Sequence, residues 1–182
     1  LILQFEQPHS DKLLGQIKAE IGNVMQAAGL TFELKLFSEL GPYAEFSNLM
    51  VVRLKGRCRM DASPGNEKAA AGPLAFTHTS NGKVLPFIEV ACDRVRNVIR
   101  PAMWGDQFRI AEELMGRAVA RVMAHEIYHV MTGTKHGDSG IARHSLSGAQ
   151  LISGQLLFEA EDIERMMNSS AVPAARAGTD DE

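Results

Sequence analysis

The chain has 182 residues, of which 45% are hydrophobic and 23% charged, an ordinary balance for a globular protein with enough apolar material for one core. The formal net charge of −3 provides no basic surface, so we expect no nucleic-acid partner. The sequence also lacks an apolar run of the roughly 18 residues that a spanning helix needs, so we expect no membrane span.

The first part of the sequence predicts a strand, a helix and a second strand. The apolar run of residues 1–5 favours a strand. Residues 11–28 repeat apolar side chains at helical spacing; Ser10 suits the cap before them and Gly29 suits the end. From residue 30 to residue 37 apolar and polar side chains alternate, which is typical of a half-buried strand.

The middle of the chain predicts three further strands. Residues 49–58 (LMVVRLKGRC) favour a strand, and residues 61–73, rich in Ala, Gly and Pro, predict a surface loop. The Asn-Gly pair at 81–82 is a hairpin signal between the predicted strands 74–79 and 84–90. A proline in the first half of the last strand favours an edge or a bulge there.

The longest predicted helix covers residues 107–132. Its broad apolar stripe, continued by helical steps, reaches His125, Glu126 and His129, and Gly133 suits the end of the helix. The three polar side chains therefore stand at the C-terminal end of a helix that otherwise belongs to the core.

The spacing of these three residues predicts a metal site. Two histidines four apart on a helix point the same way, so His125 and His129 can reach one ion, and Glu126 can reach a water on that ion. The pattern HExxH describes a zinc site with its own general base. Zinc makes hydroxide available near neutral pH, and Glu126 would move the proton from water to the leaving amine.

The third ligand is predicted to be His136. Gly133 lets the chain turn back after the helix, and an imidazole three residues later can swing toward the ion. The pattern alone leaves carboxylates and another imidazole open as alternatives, namely Glu159, Glu161, Glu164, Asp138 and His144.

The C-terminal part predicts little regular structure. Ser147 suits the cap of a short helix, residues 159–168 favour a last helix, and residues 169–182, small, polar and acidic, are predicted to be disordered. The order of elements favours an α+β fold with a mixed, twisted sheet and helices on one of its faces.

The segment HEIYHVMTGTKH, residues 125–136, resembles the signature HExxHxxGxxH of the metzincin zinc peptidases. It is similar to a variant with one extra residue, because Gly133 follows His129 by four positions and His136 follows it by seven. The order of strand, helix and strand before the motif is also similar to the N-terminal half of a metzincin domain.

This resemblance implies a zincin-like catalytic domain over residues 1–168, with subdomains 1–133 and 134–168. It implies Zn²⁺ bound by three histidines, Glu126 as general base, and an extended peptide paired with an edge strand drawn from residues 74–90. Metzincins carry a methionine turn beneath the ion. Met166 and Met167 are the candidates, but their helical context favours core packing, and core packing is also the role predicted for Tyr128 inside the motif.

The state of the two cysteines depends on the cellular compartment of the protein. Cys58 and Cys92 lie in apolar, strand-like stretches without CxxC spacing, so we predict either two buried thiols or one disulfide between neighbouring strands. Removal of a signal peptide before Leu1 would fit the second alternative, and we expect a secreted or periplasmic protein.

The predicted function is that of a zinc metalloendopeptidase that acts on peptides or proteins. Two alternatives stay open. One is a proteolytically inactive zinc-binding domain that binds extended peptides on its edge strand. The other is a structural domain in which the motif is accidental.

Overall fold

The computed structural model of the chain describes residues 1–46, 48–60, 72–133 and 135–169. Within them a mixed sheet of five strands has the order β2-β1-β3-β5-β4. The strands β1, β2, β3 and β5 run parallel to one another, and β4 is an edge strand antiparallel to β5. Their bounds are Ile2–Phe5 (β1), Lys35–Leu36 (β2), Val51–Lys55 (β3), Ala75–Ser80 (β4) and Lys83–Ala91 (β5).

Five α-helices accompany the sheet in the described part of the chain. They are Asp11–Ala27 (α1), Cys92–Ile99 (α2), Ala111–Thr132 (α3), Gly148–Ile152 (α4) and Ala160–Met167 (α5). Helix α3 packs against α1 and against β5, so it lies between the sheet and its other neighbours. Most of its residues from Leu114 to Met131 are buried, and most of these are apolar, as expected of a helix with neighbours on several sides. No helix among the described residues has the length and apolar character needed to cross a membrane.

The sheet has one apolar and one charged face. The inward side chains of β3 and β5 are Val52, Leu54, Ile88 and Val90, and all are buried. On the other face the carboxylate of Glu89 lies 3.8 Å from Arg53 and 3.4 Å from Lys55. This alternation fixes the register, because a slip by one residue would bury the charges.

A buried arginine ties α3 to two neighbouring elements. Arg121 is fully buried, and its guanidinium donates to the Glu20 carboxylate on α1 over 2.7 Å. It also donates to the carbonyls of Gln150, at 2.8 Å, and Gly154, at 3.0 Å. These bonds satisfy a charge that burial alone would make costly, and they fix the C-terminal segment against α3.

Three predicted elements differ from the observed ones. The strand predicted over residues 30–37 is regular only at Lys35–Leu36. The helix predicted from residue 107 begins at Ala111, after a 3₁₀ segment over Gly105–Ile110. Helix α2 was not predicted, and Cys92, placed in a strand-like stretch, is its first residue. The parts of the predicted loop and tail at residues 61–71 and 170–182 lie outside the described residues.

Several local predictions from the sequence are confirmed. The hydroxyl of Ser10 accepts from the backbone N–H of Leu13 and caps α1, and Ser147 caps α4 by the same bond to Gln150. Pro86 lies in the half of β5 that precedes its pairing with β3, which starts at Phe87. That half of β5 is therefore bounded by β4 alone, in keeping with the edge character that the proline predicts.

The cysteines form a disulfide, which decides between the two predicted states. Cys58 follows β3 and Cys92 begins α2, and both are buried. The bond therefore joins a strand end to a helix start rather than two neighbouring strands.

Candidate metal centre

The C-terminal turns of α3 carry the first part of the site. His125, Glu126 and His129 lie on this helix; Glu126 and His129 are buried, and His125 is partly buried. Gly133 adopts φ +90° and donates its N–H to the carbonyl of His129 over 2.9 Å, which ends the helix. The chain then turns back and brings His136 over the two helical histidines.

The three imidazoles converge as the spacing predicts. Their ligand atoms all lie within 4.8 Å of one another, so His125, His129 and His136 form a group that can hold a metal ion. The ring centroid of His136 is 5.3 Å from that of His125 and 4.6 Å from that of His129. The other predicted candidates do not join this group in the described part of the chain: Asp138, His144, Glu159, Glu161 and Glu164.

Backbone carbonyls set which nitrogen of each helical histidine faces the site. Nδ1 of His125 lies 2.8 Å from the carbonyl oxygen of Ile141, and Nδ1 of His129 lies 3.0 Å from that of Gly133. A carbonyl only accepts, so each Nδ1 carries the hydrogen and each Nε2 presents a lone pair. This is the outer-shell arrangement by which proteins orient metal-binding imidazoles.

The two Nε2 atoms are only 3.0 Å apart. With hydrogens on both Nδ1 atoms, neither Nε2 can donate to the other, so two lone pairs face each other and a cation between them would relieve their repulsion. Two nitrogens bound to one tetrahedral ion at about 2.0–2.1 Å are separated by roughly 3.3–3.4 Å, close to the spacing found here. The donor set therefore fits a small divalent cation.

Burial keeps the site in the form that binds a metal. It lowers the pKa of His125 from 6.5 to about 4, an effect that the bond to the Ile141 carbonyl only partly opposes. The imidazole is thus neutral at physiological pH, and a neutral imidazole is the ligand form.

Glu126 lies beside the three histidines and contacts the edge strand. It is only 7% exposed, and Oε2 of its carboxylate accepts a hydrogen bond from the Thr77 hydroxyl over 2.7 Å. Burial raises the pKa of Glu126, and the Thr77 bond acts in the opposite direction. A carboxyl with a raised pKa, placed next to a group of residues that can hold a metal ion, is suited to exchanging a proton.

A cavity of about 650 Å³ opens in front of these residues. Residues 75–77 and 79, on β4, form one wall, and residues 143–146 form another. Much of the remaining lining is aliphatic, with Leu74, Val84, Val98 and Val122 among its members. The candidate metal ligands and Glu126 thus face an open space rather than a closed structural pocket.

The loop that carries His136 is held by backbone bonds. Gly137 donates to the carbonyl of Ala142 over 2.9 Å, and Ile141 donates to that of Leu157 over 3.0 Å. Gly140 adopts φ +62°, in the left-handed region. The sequence did not indicate that the carbonyls of Ile141 and Gly133 orient the two helical histidines. For the Ile141 carbonyl the local signal is Gly140, which suits the turn just before it.

Tyr128 and the methionines lie away from the cavity. Tyr128 is fully buried, and its hydroxyl donates to Asp162 on α5 over 3.1 Å, so it has the packing role predicted for it. Met166 is buried and Met167 half exposed, both within α5.

No protein-family model matches the chain, and no curated protein matches its sequence.

Proposed function

We propose that the protein is a zinc-dependent metallopeptidase that hydrolyses peptide bonds with Glu126 as general base. The main support for this proposal is the pair of facing Nε2 lone pairs of His125 and His129. The Glu126 carboxylate lies beside them in an open cavity. His136 completes a set of three imidazoles, the number that leaves one position of a tetrahedral zinc site for water or substrate.

The ion and the residues of the chain have separate roles in the proposed reaction. Zinc, when bound, lowers the pKa of water from 15.7 toward roughly 7 and polarises a carbonyl. Glu126 takes a proton from the attacking water while the water oxygen adds to the carbonyl carbon. Glu126 then gives that proton to the nitrogen as the C–N bond breaks. The hydrogen bonds from Nδ1 to backbone carbonyls keep the rings of His125 and His129 in one orientation during the reaction.

The edge strand supplies a place for the substrate. β4 ends the sheet and borders the cavity, so its outer backbone groups can pair with an extended peptide. Thr77 on this strand contacts Glu126, which would place the paired chain next to the base. Backbone pairing favours peptides and unfolded proteins over folded ones.

The class that we propose is a metzincin-like zincin with a longer turn before the third histidine. The α+β architecture, the long helix that carries the first two histidines and the edge strand beside it support this class. The disulfide between Cys58 and Cys92 supports a secreted or periplasmic location, since such bonds persist in oxidising compartments.

Hydrolysis of an unfolded protein by zinc-loaded material tests the proposal. The wild type should cleave a reduced and alkylated substrate, lose activity with a chelator and regain it with zinc. Glu126→Gln should bind zinc in the same stoichiometry and cleave at least about 100-fold more slowly.

Two results would overturn the proposal and separate its alternatives. Zinc binding and capture of the unfolded chain without cleavage would identify the inactive peptide-binding domain. Absence of bound metal after zinc loading would leave a structural domain with an accidental motif.

A further inference from the structure

A part of the cavity wall outside β4 carries two basic residues. Residues 143–146 form this wall, and Arg143 and His144 are both exposed there. The ring of His144 lies next to that of His136, with centroids 4.6 Å apart and the ring planes tilted by 57°. The wall therefore begins beside a candidate metal ligand, and a group held on it would lie close to the reacting bond.

Arg143 has a fixed backbone and a free side chain. Its neighbours Ile141 and Ala142 are fully buried, and Arg143 itself forms an isolated bridge with Gly137. Within the described residues no hydrogen bond or ion pair holds its guanidinium. Arg121 and Arg165 differ from it, since Arg121 is bonded to Glu20 and Arg165 to Asp162.

The cavity offers Arg143 no counter-ion of its own. Among the described lining residues Glu126 is the one carboxylate. That carboxylate is bonded to Thr77 and is the base of the proposed reaction. An unpaired guanidinium on a fixed backbone, lining the same cavity as the candidate metal ligands, is a site for an anionic group of a ligand.

We propose that Arg143 binds a carboxylate of the peptide substrate close to the scissile bond. The inference rests on the proposed peptidase function and specifies its substrate class. A guanidinium holds a carboxylate by two parallel charge-assisted bonds, with more directional preference than an ammonium group has. The carboxylate is either an Asp or Glu side chain or the C-terminus of a short peptide, and the two sources share this chemistry.

The test measures peptide binding without turnover. Zinc-loaded Glu126→Gln protein is titrated with fluorescent peptides that differ at one position by Glu, Gln or Lys, and each is made with a free and an amidated C-terminus. We expect a carboxylate at one position, or at the terminus, to tighten binding by about 10-fold, the range of a charge-assisted bond. The position that responds identifies the source of the carboxylate.

Variants assign this preference to Arg143. In the same background Arg143→Gln should reduce the carboxylate preference to less than about 2-fold, Arg143→Lys should keep part of it, and Arg143→Glu should favour the Lys peptide. Arg109→Gln changes an arginine that is exposed but outside the cavity lining, and it should leave the preference unchanged.

Two outcomes would overturn the inference. One is equal binding of the Glu and Gln peptides, at every position and terminus. The other is a carboxylate preference that survives in Arg143→Gln. Failure of the peptidase proposal has a different signature, because the wild type would then cleave none of the peptides while the binding preference and its loss in Arg143→Gln could still be measured.

Discussion

The hydroxyl of Thr77 on β4 donates a 2.7 Å hydrogen bond to the carboxylate of Glu126 on α3. The bond joins the strand proposed to receive the substrate to the group proposed to move the proton. It also stabilises the charged form of a carboxylate whose pKa burial raises.

Removal of this bond should change the pH dependence of hydrolysis. A general base must be deprotonated, so kcat/KM falls as the pH falls through its pKa. Thr77→Val removes a donor to the carboxylate, which raises the pKa of Glu126 further and moves the acid limb of the profile to higher pH. Thr77→Ser should keep the wild-type profile.

The matched control for this prediction is Thr79→Val. Thr79 lies on the same strand and lines the same cavity. Its replacement should leave the acid limb in place. An acid limb at the same pH in Thr77→Val and wild type would show that the bond does not tune the base.

Zinc affinity should separate His136 from the carboxylates that the sequence left open. His136 lies with His125 and His129 in the metal-holding group, whereas Glu159 is exposed at the start of α5. His136→Ala should lower zinc affinity by more than the roughly 10–100-fold that loss of an outer-shell partner costs. Glu159→Ala should bind zinc like the wild type in competition with a chromophoric chelator. If Glu159→Ala lowered zinc affinity more than His136→Ala did, the three-histidine site would be excluded.

Gly140 should matter to the metal site although it does not contact the histidines. A Cβ at Gly140 would meet the Leu157 carbonyl at 2.4 Å, and its φ of +62° is unfavourable for other residues. Gly140→Ala should therefore displace the neighbouring Ile141 carbonyl that orients His125. We expect a loss of about 1–3 kcal/mol in unfolding free energy and a 10–100-fold lower zinc affinity.

Gly154→Ala is the control for that substitution. A Cβ at Gly154 meets no atom within 4 Å, so chemical denaturation and zinc titration should give values close to the wild type. Similar zinc affinities for Gly140→Ala and Gly154→Ala would mean that the Ile141 carbonyl is not needed to orient the ligand.

Local spacing predicted the parts of this site that belong to one helix and its turn. The period of α3 aligns His125 with His129, and Gly133 makes the reversal that brings in His136. Thr77 and the Ile141 carbonyl could not be found in this way. They reach the site from a different strand and a different loop, and no sequence period relates them to α3.

The fold shows the same division between local and non-local information. The buried residues of α2, Cys92, Val95, Arg96 and Ile99, recur at helical spacing, but over only eight residues. A helix this short is not stable alone, and the disulfide at Cys92 and the packing against α3 supply what propensity does not. The alternating residues 30–37 are compatible with a strand, but only Lys35 and Leu36 find partners, on β1. Alternation of apolar and polar residues predicts which face of a strand is buried. Whether the strand forms also depends on a neighbouring strand with which its backbone can pair.

The disulfide should contribute to stability without supporting the metal site directly. Cys58 and Cys92 are 34 residues apart and fix the end of β3 to the start of α2, and none of the three histidines lies on either element. Cys58→Ala/Cys92→Ala should lower the unfolding free energy by about 2–4 kcal/mol, because the bond restricts the unfolded chain. A phosphine reductant should weaken the wild type by a similar amount in urea and leave the double variant unchanged. Zinc stoichiometry of the folded double variant should equal that of the wild type; a loss of zinc would mean that α2 holds α3 in the position that aligns the ligands.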